Sequence, residues 1–245
     1  MTSPFKIRRR ETIFFSIVCL FFIVTKSHAQ TAKDYYESGG TKFKGKDYNN
    51  AIADFNKAIA LKPDYEEAYY FRGLTKTVLK DSSAQSDFNK AIELNPNNAK
   101  AYSFRGIGKF KMKKYEEANE DFDKTIKLKP DYEEAYFYKG SSLMELKKYE
   151  ESIRQLSKAI ELRPSYTGAY YMRGLTETLK EDFSAAVADF DKTAELDPNY
   201  SIKLFYFRGL AKKKLGQKEA ACSDFKKSLD AGYKEAEEEI KKNCQ

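Results

Sequence analysis

Tryptophan is missing from this chain of 245 residues, histidine occurs once, at His28, and cysteine only at positions 19, 222 and 244. General acid–base work, metal binding and nucleophile activation draw most on histidine, so the common hydrolase and metalloenzyme constellations have little to build on. No glycine-rich phosphate loop, metal-ligand spacing or nucleophile motif occurs either. No catalytic residue, metal ligand or cofactor is therefore expected. Carboxylate pairs such as Glu66-Glu67, Glu116-Glu117 and Glu133-Glu134 recur at predicted helix starts, where acids suit the helix dipole. Long apolar runs are also lacking. The most apolar stretch, Ile13 to Val24, has twelve residues, short of the ~20 that a membrane span needs.

That stretch lies between Lys6, Arg8, Arg9 and Arg10 and the small residues of Ser27-His28-Ala29, the arrangement of a secretory signal peptide. Its length disfavours an uncleaved anchor. Bulky Val18 and the apolar residues after Cys19 disfavour lipid attachment there. Cleavage after Ala29 starts the mature chain at Gln30 and removes its only histidine, so an exported protein is expected, periplasmic or secreted, with no membrane span after cleavage. The segment holds five basic residues and one acid, so the net charge of +7 falls to +3 without it. Lysines 46, 113, 114, 147 and 148 read as solvated turns. Evenly mixed charge without a basic stripe excludes the usual nucleic-acid footprint.

Repetition, by contrast, is abundant. Glycines at 39, 73, 106, 140, 174 and 209 recur with small residues at 51, 84, 118, 152, 186 and 221. Large apolar residues follow at 55, 88, 122, 156, 190 and 225, and prolines close the units at 63, 96, 130, 164 and 198. Residues 133–166 serve as the type unit. Tyr136, Gly140, Leu143 and Leu146 form one helical stripe, and Ser152, Leu156, Ala159 and Ile160 form another, with Lys147-Lys148-Tyr149 between them. The unit is a helical hairpin. A mid-helix glycine costs ~1 kcal/mol of helix propensity, so its recurrence opposite a small residue predicts close approach of the two helices. The large residue is expected to fill the space between pairs, and the proline to end the second helix. Units of this length bury their apolar faces only against their neighbours, in a solenoid.

The pattern met by Tyr35, Gly39, Ala51, Phe55 and Pro63, and by the sets after them, resembles that of the tetratricopeptide repeat family. The resemblance implies an all-α, right-handed solenoid of antiparallel helix pairs. Six units are expected at about 32–65, 66–98, 99–132, 133–166, 167–200 and 201–232, followed by a capping helix over 233–245. A one-residue deletion falls in the turn at 80–83 and an insertion at the link between Pro198 and Gly209, where loops tolerate length change. The cap carries the i,i+4 pairs Glu237-Lys241 and Glu238-Lys242. Two cysteines remaining in an exported chain predict a Cys222–Cys244 disulfide, with two free thiols as the alternative. Arg72, Arg105, Lys139, Arg173 and Arg208 precede the glycines, while Asp54, Asp87, Asp121, Asp189 and Asp224 precede the large apolar residue, and Gln155 breaks the series. A repeated ion pair between adjacent helices is predicted.

The family resemblance also implies where a partner would lie, since residues flanking the glycine face the concave groove. Three before it stand Tyr70, Ser103, Phe137, Tyr171 and Tyr206, and two before it Phe71, Phe104, Tyr138, Met172 and Phe207. Just after it come Leu74, Ile107, Ser141, Leu175 and Leu210. An aromatic and apolar groove for an extended peptide or amphipathic helix is expected. The competing reading is that these side chains pack between repeats. The Lys, Asn and Arg clamp with which some family members hold acidic C-termini is lacking, because apolar residues occupy its places. The expected function is a non-enzymatic protein-interaction scaffold; carbohydrate binding on aromatic platforms, or an accessory role in envelope assembly, is the alternative.

Overall fold

The computed structural model describes residues 30–244; the expected signal peptide lies outside them. Every regular element among the described residues is helical. The first pair is α1 (Ala32–Lys44) and α2 (Tyr48–Leu61), the second α3 (Glu66–Val78) and α4 (Ala84–Leu94), the third α5 (Ala99–Lys111) and α6 (Tyr115–Leu128). The fourth is α7 (Glu133–Glu145) and α8 (Tyr149–Leu162), the fifth α9 (Thr167–Leu179) and α10 (Phe183–Leu196), the sixth α11 (Leu204–Lys214) and α12 (Lys218–Asp230). The short α13 (Ala236–Asn243) follows. Each helix packs on its partner and on the next pair, with thin contacts between first helices of adjacent pairs. This is an α-solenoid.

Local chemistry sets the boundaries. Thr31 and Asp34 form a reciprocal capping box that starts α1. Lys46, Lys80, Lys113, Lys147 and Glu181 take positive φ between 59° and 66° at the tips inside the pairs, and Gly216 takes a positive φ of 75° in the sixth. Second helices stop where proline approaches: Lys62, Asn95, Lys129, Arg163 and Asp197 are held extended, near φ −140° and ψ 90°, because the ring of the following proline clashes with an α-conformation. The shortened turn is absorbed by the late start of α4 at Ala84, and the insertion by the late start of α11 at Leu204.

The core is a row of rings, and here the structure refines the expected role of the glycines. A Cβ on Gly39 would lie 2.7 Å from the ring of Phe55, and one on Gly106 would lie 2.8 Å from the ring of Phe122. Gly73, Gly174 and Gly209 meet Phe88, Phe190 and Phe225 in the same way, and Gly140 meets Leu156. The missing side chain thus seats the large residue of the partner helix. All of these rings, and Leu156, are fully buried. In the fourth pair, where serine replaces the usual alanine, the Ser152 hydroxyl donates to the Gly140 carbonyl at 2.8 Å, which satisfies a polar group that burial would otherwise penalise.

The ion-pair series is present and more extended than its sequence suggested. Arg72 forks onto buried Asp87 (3.0 and 2.5 Å), Arg105 onto Asp121 (3.0 and 2.6 Å), Arg173 onto Asp189 (2.7 and 2.8 Å) and Arg208 onto Asp224 (2.8 and 2.5 Å). The same guanidinium reaches back to the preceding pair, from Arg72 to Asn56 (2.7 Å), Arg105 to Asn89 (2.9 Å), Arg173 to Ser157 (2.8 Å) and Arg208 to Asp191 (2.8 Å). In the fourth pair, which has Gln155 in place of the acid, Lys139 pairs with Asp123 of the third. In the first, Ser38 and Lys42 both donate to Asp54 at 2.6 Å.

Candidate functional site

The side chains expected to line a groove divide into three groups. Those two before the glycine are structural. Phe71 stacks on Phe55 of the preceding pair (centroids 6.2 Å apart), Phe104 on Phe88 (6.1 Å) and Tyr138 on Phe122 (6.0 Å). Met172 and Phe207 join the cluster around Phe190. Those just after the glycine are half-buried: Leu74, Ile107, Leu175 and Leu210 each lie against the core of their own pair. Ser141 is buried and donates to the Phe137 carbonyl at 2.9 Å.

The residues three before the glycine depart most from an open aromatic floor. Tyr70 and Tyr171 are only 8 % and 9 % exposed, because their rings lean on Phe88 (6.2 Å) and Phe190 (6.0 Å) of their own pairs. Ser103 is fully buried, while Phe137 and Tyr206 remain half-buried. The rings are anchored in the stack and offer edges rather than faces.

A second aromatic row completes this surface, and sequence reasoning missed it. Tyr65, Tyr132, Tyr166 and Tyr200 each stand two residues after a proline, and Tyr233 holds the corresponding place after Gly232. They sit where the chain enters the next helix and meet the first row across it. Tyr36 contacts Tyr65 (5.1 Å), Phe137 contacts Tyr166 (4.9 Å), Tyr171 contacts Tyr200 (5.4 Å) and Tyr206 contacts Tyr233 (4.9 Å). The signal was available in the same 34-residue recurrence, offset by two from the prolines. Asn98 takes the place of a tyrosine once; it donates to Glu66 and caps α5 through the Ala101 amide (3.0 Å).

Cations cover several ring faces. The Arg163 guanidinium lies 3.6 Å from the centre of Tyr166, and Lys62, Lys129 and Lys203 lie 4.6, 5.1 and 5.5 Å from Tyr65, Tyr132 and Tyr233. Burial raises the phenols of Tyr36, Tyr65, Tyr132, Tyr138, Tyr200 and Tyr206 above their ordinary range, and those of Tyr70 and Tyr166 far above it. These tyrosines therefore present neutral hydroxyls, which can donate as well as accept hydrogen bonds.

Cavities occur away from this surface. One of about 430 Å³ borders Cys222 and Cys244, and another of about 240 Å³ lies between the tips of the second and third pairs, at Thr77, Lys80 and Met112. Cys222 and Cys244 stand 5.6 Å apart at Cα with sulfurs 2.05 Å apart. Among the described residues no three acidic, histidine or cysteine side chains gather as a metal site, and no helix is long and apolar enough to cross a membrane.

Stacked helical hairpins with a ring seated in all but the fourth, where Leu156 takes its place, and an aromatic row along their first helices define a class: an α-solenoid repeat protein. The chain belongs to the tetratricopeptide repeat family. Models described as "TPR repeat" match residues 39–76 and 140–177, and "Tetratricopeptide repeat" matches 167–200 and 202–231. Among solved structures, MamA is 27 % identical, covering 67 % of this chain and 96 % of its own, with a TM-score of 0.61. YrrB, described as a TPR protein with an unusual peptide-binding site, is 23 % identical over 77 % of this chain and 97 % of its own, with a TM-score of 0.66. PilF of Pseudomonas aeruginosa is 17 % identical over 85 % and 97 %, with a TM-score of 0.73. No curated protein sequence matches.

Proposed function

We propose that this protein is a non-enzymatic interaction scaffold, exported from the cytosol, that holds an extended peptide or amphipathic helix of a protein partner along its double aromatic row. The observation that carries the reading is the recurrence of one ring pair in most hairpins, from Tyr36–Tyr65 to Tyr206–Tyr233. Edges and neutral hydroxyls of anchored rings present shaped contact area at little entropic cost, as tyrosines do in other recognition surfaces. The peptide-binding site described for YrrB supports the same use of this fold. Sugar stacking is less well served, since it needs free ring faces and those of Tyr166 and Tyr65 carry cations.

The test is a peptide selected from a displayed library against the full chain, then titrated against a Tyr166→Ala/Tyr200→Ala variant. Loss of two ring contacts is expected to weaken binding by about tenfold or more, at about 1–2 kcal/mol per aromatic anchor, with helical circular dichroism unchanged. Equal affinity in a folded variant would exclude the row as the site.

A further inference from the structure

The last hairpin ends against α13, a helix of eight residues whose only fully buried side chain is Ala236. Its remaining hold is modest: half-buried Ile240 lies with Tyr233 against Tyr206, Leu210, Leu229 and Phe225, and Glu239 pairs with Lys213 at 2.7 Å. A helix this short does not persist alone in water. What fastens it is the link from Cys244, at its end, to Cys222 in α12.

That link is half-exposed and has open space on both sides. The 430 Å³ cavity borders both cysteines together with Lys218 and Lys226, and a second, of about 210 Å³, borders Cys222 again with Lys213 and Lys218. Lys218 and Lys226 stand one turn before and after Cys222 in α12 and make no ion pair among the described residues, while Glu219 lines the same cavity with the opposite charge. A nearby ammonium stabilises a thiolate, and a better thiolate leaves faster in exchange.

We propose that Cys222–Cys244 is a reversible latch, opened by a dithiol reductant, that fixes or frees α13. A thiolate of the reductant attacks Cys244 Sγ and forms a mixed disulfide. The Cys222–Cys244 bond breaks, and Cys222 leaves as a thiolate beside Lys218 and Lys226 and then takes a proton. The reductant's second thiolate closes on its own bonded sulfur and expels Cys244, which is protonated in turn. The reductant becomes a disulfide, and the pair gains two electrons and two protons. With α13 free, Tyr233 loses the cover that holds it against Tyr206 (4.9 Å), so the oxidised state alone keeps the last ring pair intact.

The latch does not depend on what the aromatic row binds, and its test does not use a partner. The full chain carrying Cys19→Ser is treated with dithiothreitol without denaturant while thiol release and amide hydrogen exchange are followed. The expected result is release of both thiols, with exchange over 233–243 faster by roughly tenfold or more and α1–α10 unchanged. Lys218→Gln/Lys226→Gln is expected to slow thiol release several-fold. Thiols that appear only when the whole chain unfolds, undiminished protection of 233–243 after reduction, or a release rate indifferent to both lysines would each overturn the proposal.

Discussion

Gly39 and Gly40 are neighbours in α1 with opposite surroundings. A Cβ on Gly39 would lie 2.7 Å from Phe55, a buried ring already held by Tyr36 (6.1 Å) and Phe71 (6.2 Å), whereas one on Gly40 would meet nothing within 4 Å. Phe55 cannot give way without disturbing two further rings, so Gly39→Ala is expected to destabilise by ~1–3 kcal/mol through overpacking. Gly40→Ala removes a helix-interior glycine in open space and is expected to stabilise by up to ~1 kcal/mol. Urea midpoints of the two variants would carry opposite signs. Midpoints that moved together would show that propensity, not the seated ring, decides the residue at Gly39.

Within the fifth hairpin the contact between α9 and α10 departs from its sisters in one group. Lys42, Lys76, Lys109 and Lys212 place an ammonium 2.6–3.0 Å from the buried aspartate of their pair. The equivalent residue of α9 is Glu177, 7 % exposed, with one carboxylate oxygen lacking any hydrogen-bond partner. Burial first, and then the charge of Asp189, push its carboxyl up to about 8, with Asp182 adding to the rise and Arg173, 3.9 Å away, opposing it. A carboxyl raised above its unfolded value binds its proton in the folded state and not in the unfolded one. Stability from this group is therefore complete below the ordinary glutamate range and is lost as pH climbs toward about 8. Thermal midpoints taken from about pH 5 to about pH 9 should decline for the native chain. Glu177→Gln and Glu177→Lys should lose this slope, the latter by restoring the arrangement of Lys76; an unchanged slope in both would place the titration elsewhere. Sequence alone showed the hairpins, the arginine–aspartate register and the glycines, because each recurs at fixed spacing in the units that have it. It did not show that Phe71, Phe104 and Tyr138 are packing rather than surface, since two-before and three-before positions share a helix face and differ only in which pair they lean on. The tyrosines after the prolines went unread because they lie in links, where helical periodicity carries no information.

At the scale of the whole molecule, stability in a solenoid is a sum over neighbouring joints, so the weakest joint sets where it opens. The joint between the fourth and fifth hairpins lacks the stacked rings of the first three. Leu156 stands where the first three pairs offer a ring to the next pair's Phe71, Phe104 or Tyr138, and its counterpart across the joint is Met172. Arg173 bridges to the neutral hydroxyl of Ser157, as Arg72 and Arg105 bridge to neutral amides, whereas Arg208 reaches a carboxylate. Besides a buried contact between the Ser152 and Thr176 hydroxyls at 3.3 Å, Lys180 and Glu150, both well exposed, add a 3.6 Å contact, a type of pair worth little. Amide exchange is therefore expected to be faster in α8 and α9 than in α4–α6, whose joints carry stacked rings. Ser157→Asp gives Arg173 the acid that Asp191 gives Arg208 and should slow that exchange by about two- to fivefold, in line with ~0.5–1 kcal/mol for a partly exposed pair. The joint falls between the Phe137–Tyr166 and Tyr171–Tyr200 pairs of the aromatic row, so a molecule that bends here can change the curvature presented to a partner without unfolding either half. Uniform exchange along α2–α11, or a Ser157→Asp variant no slower than the parent, would mean that the apolar contacts of Leu156 and Met172 hold this joint as firmly as stacked rings hold the rest.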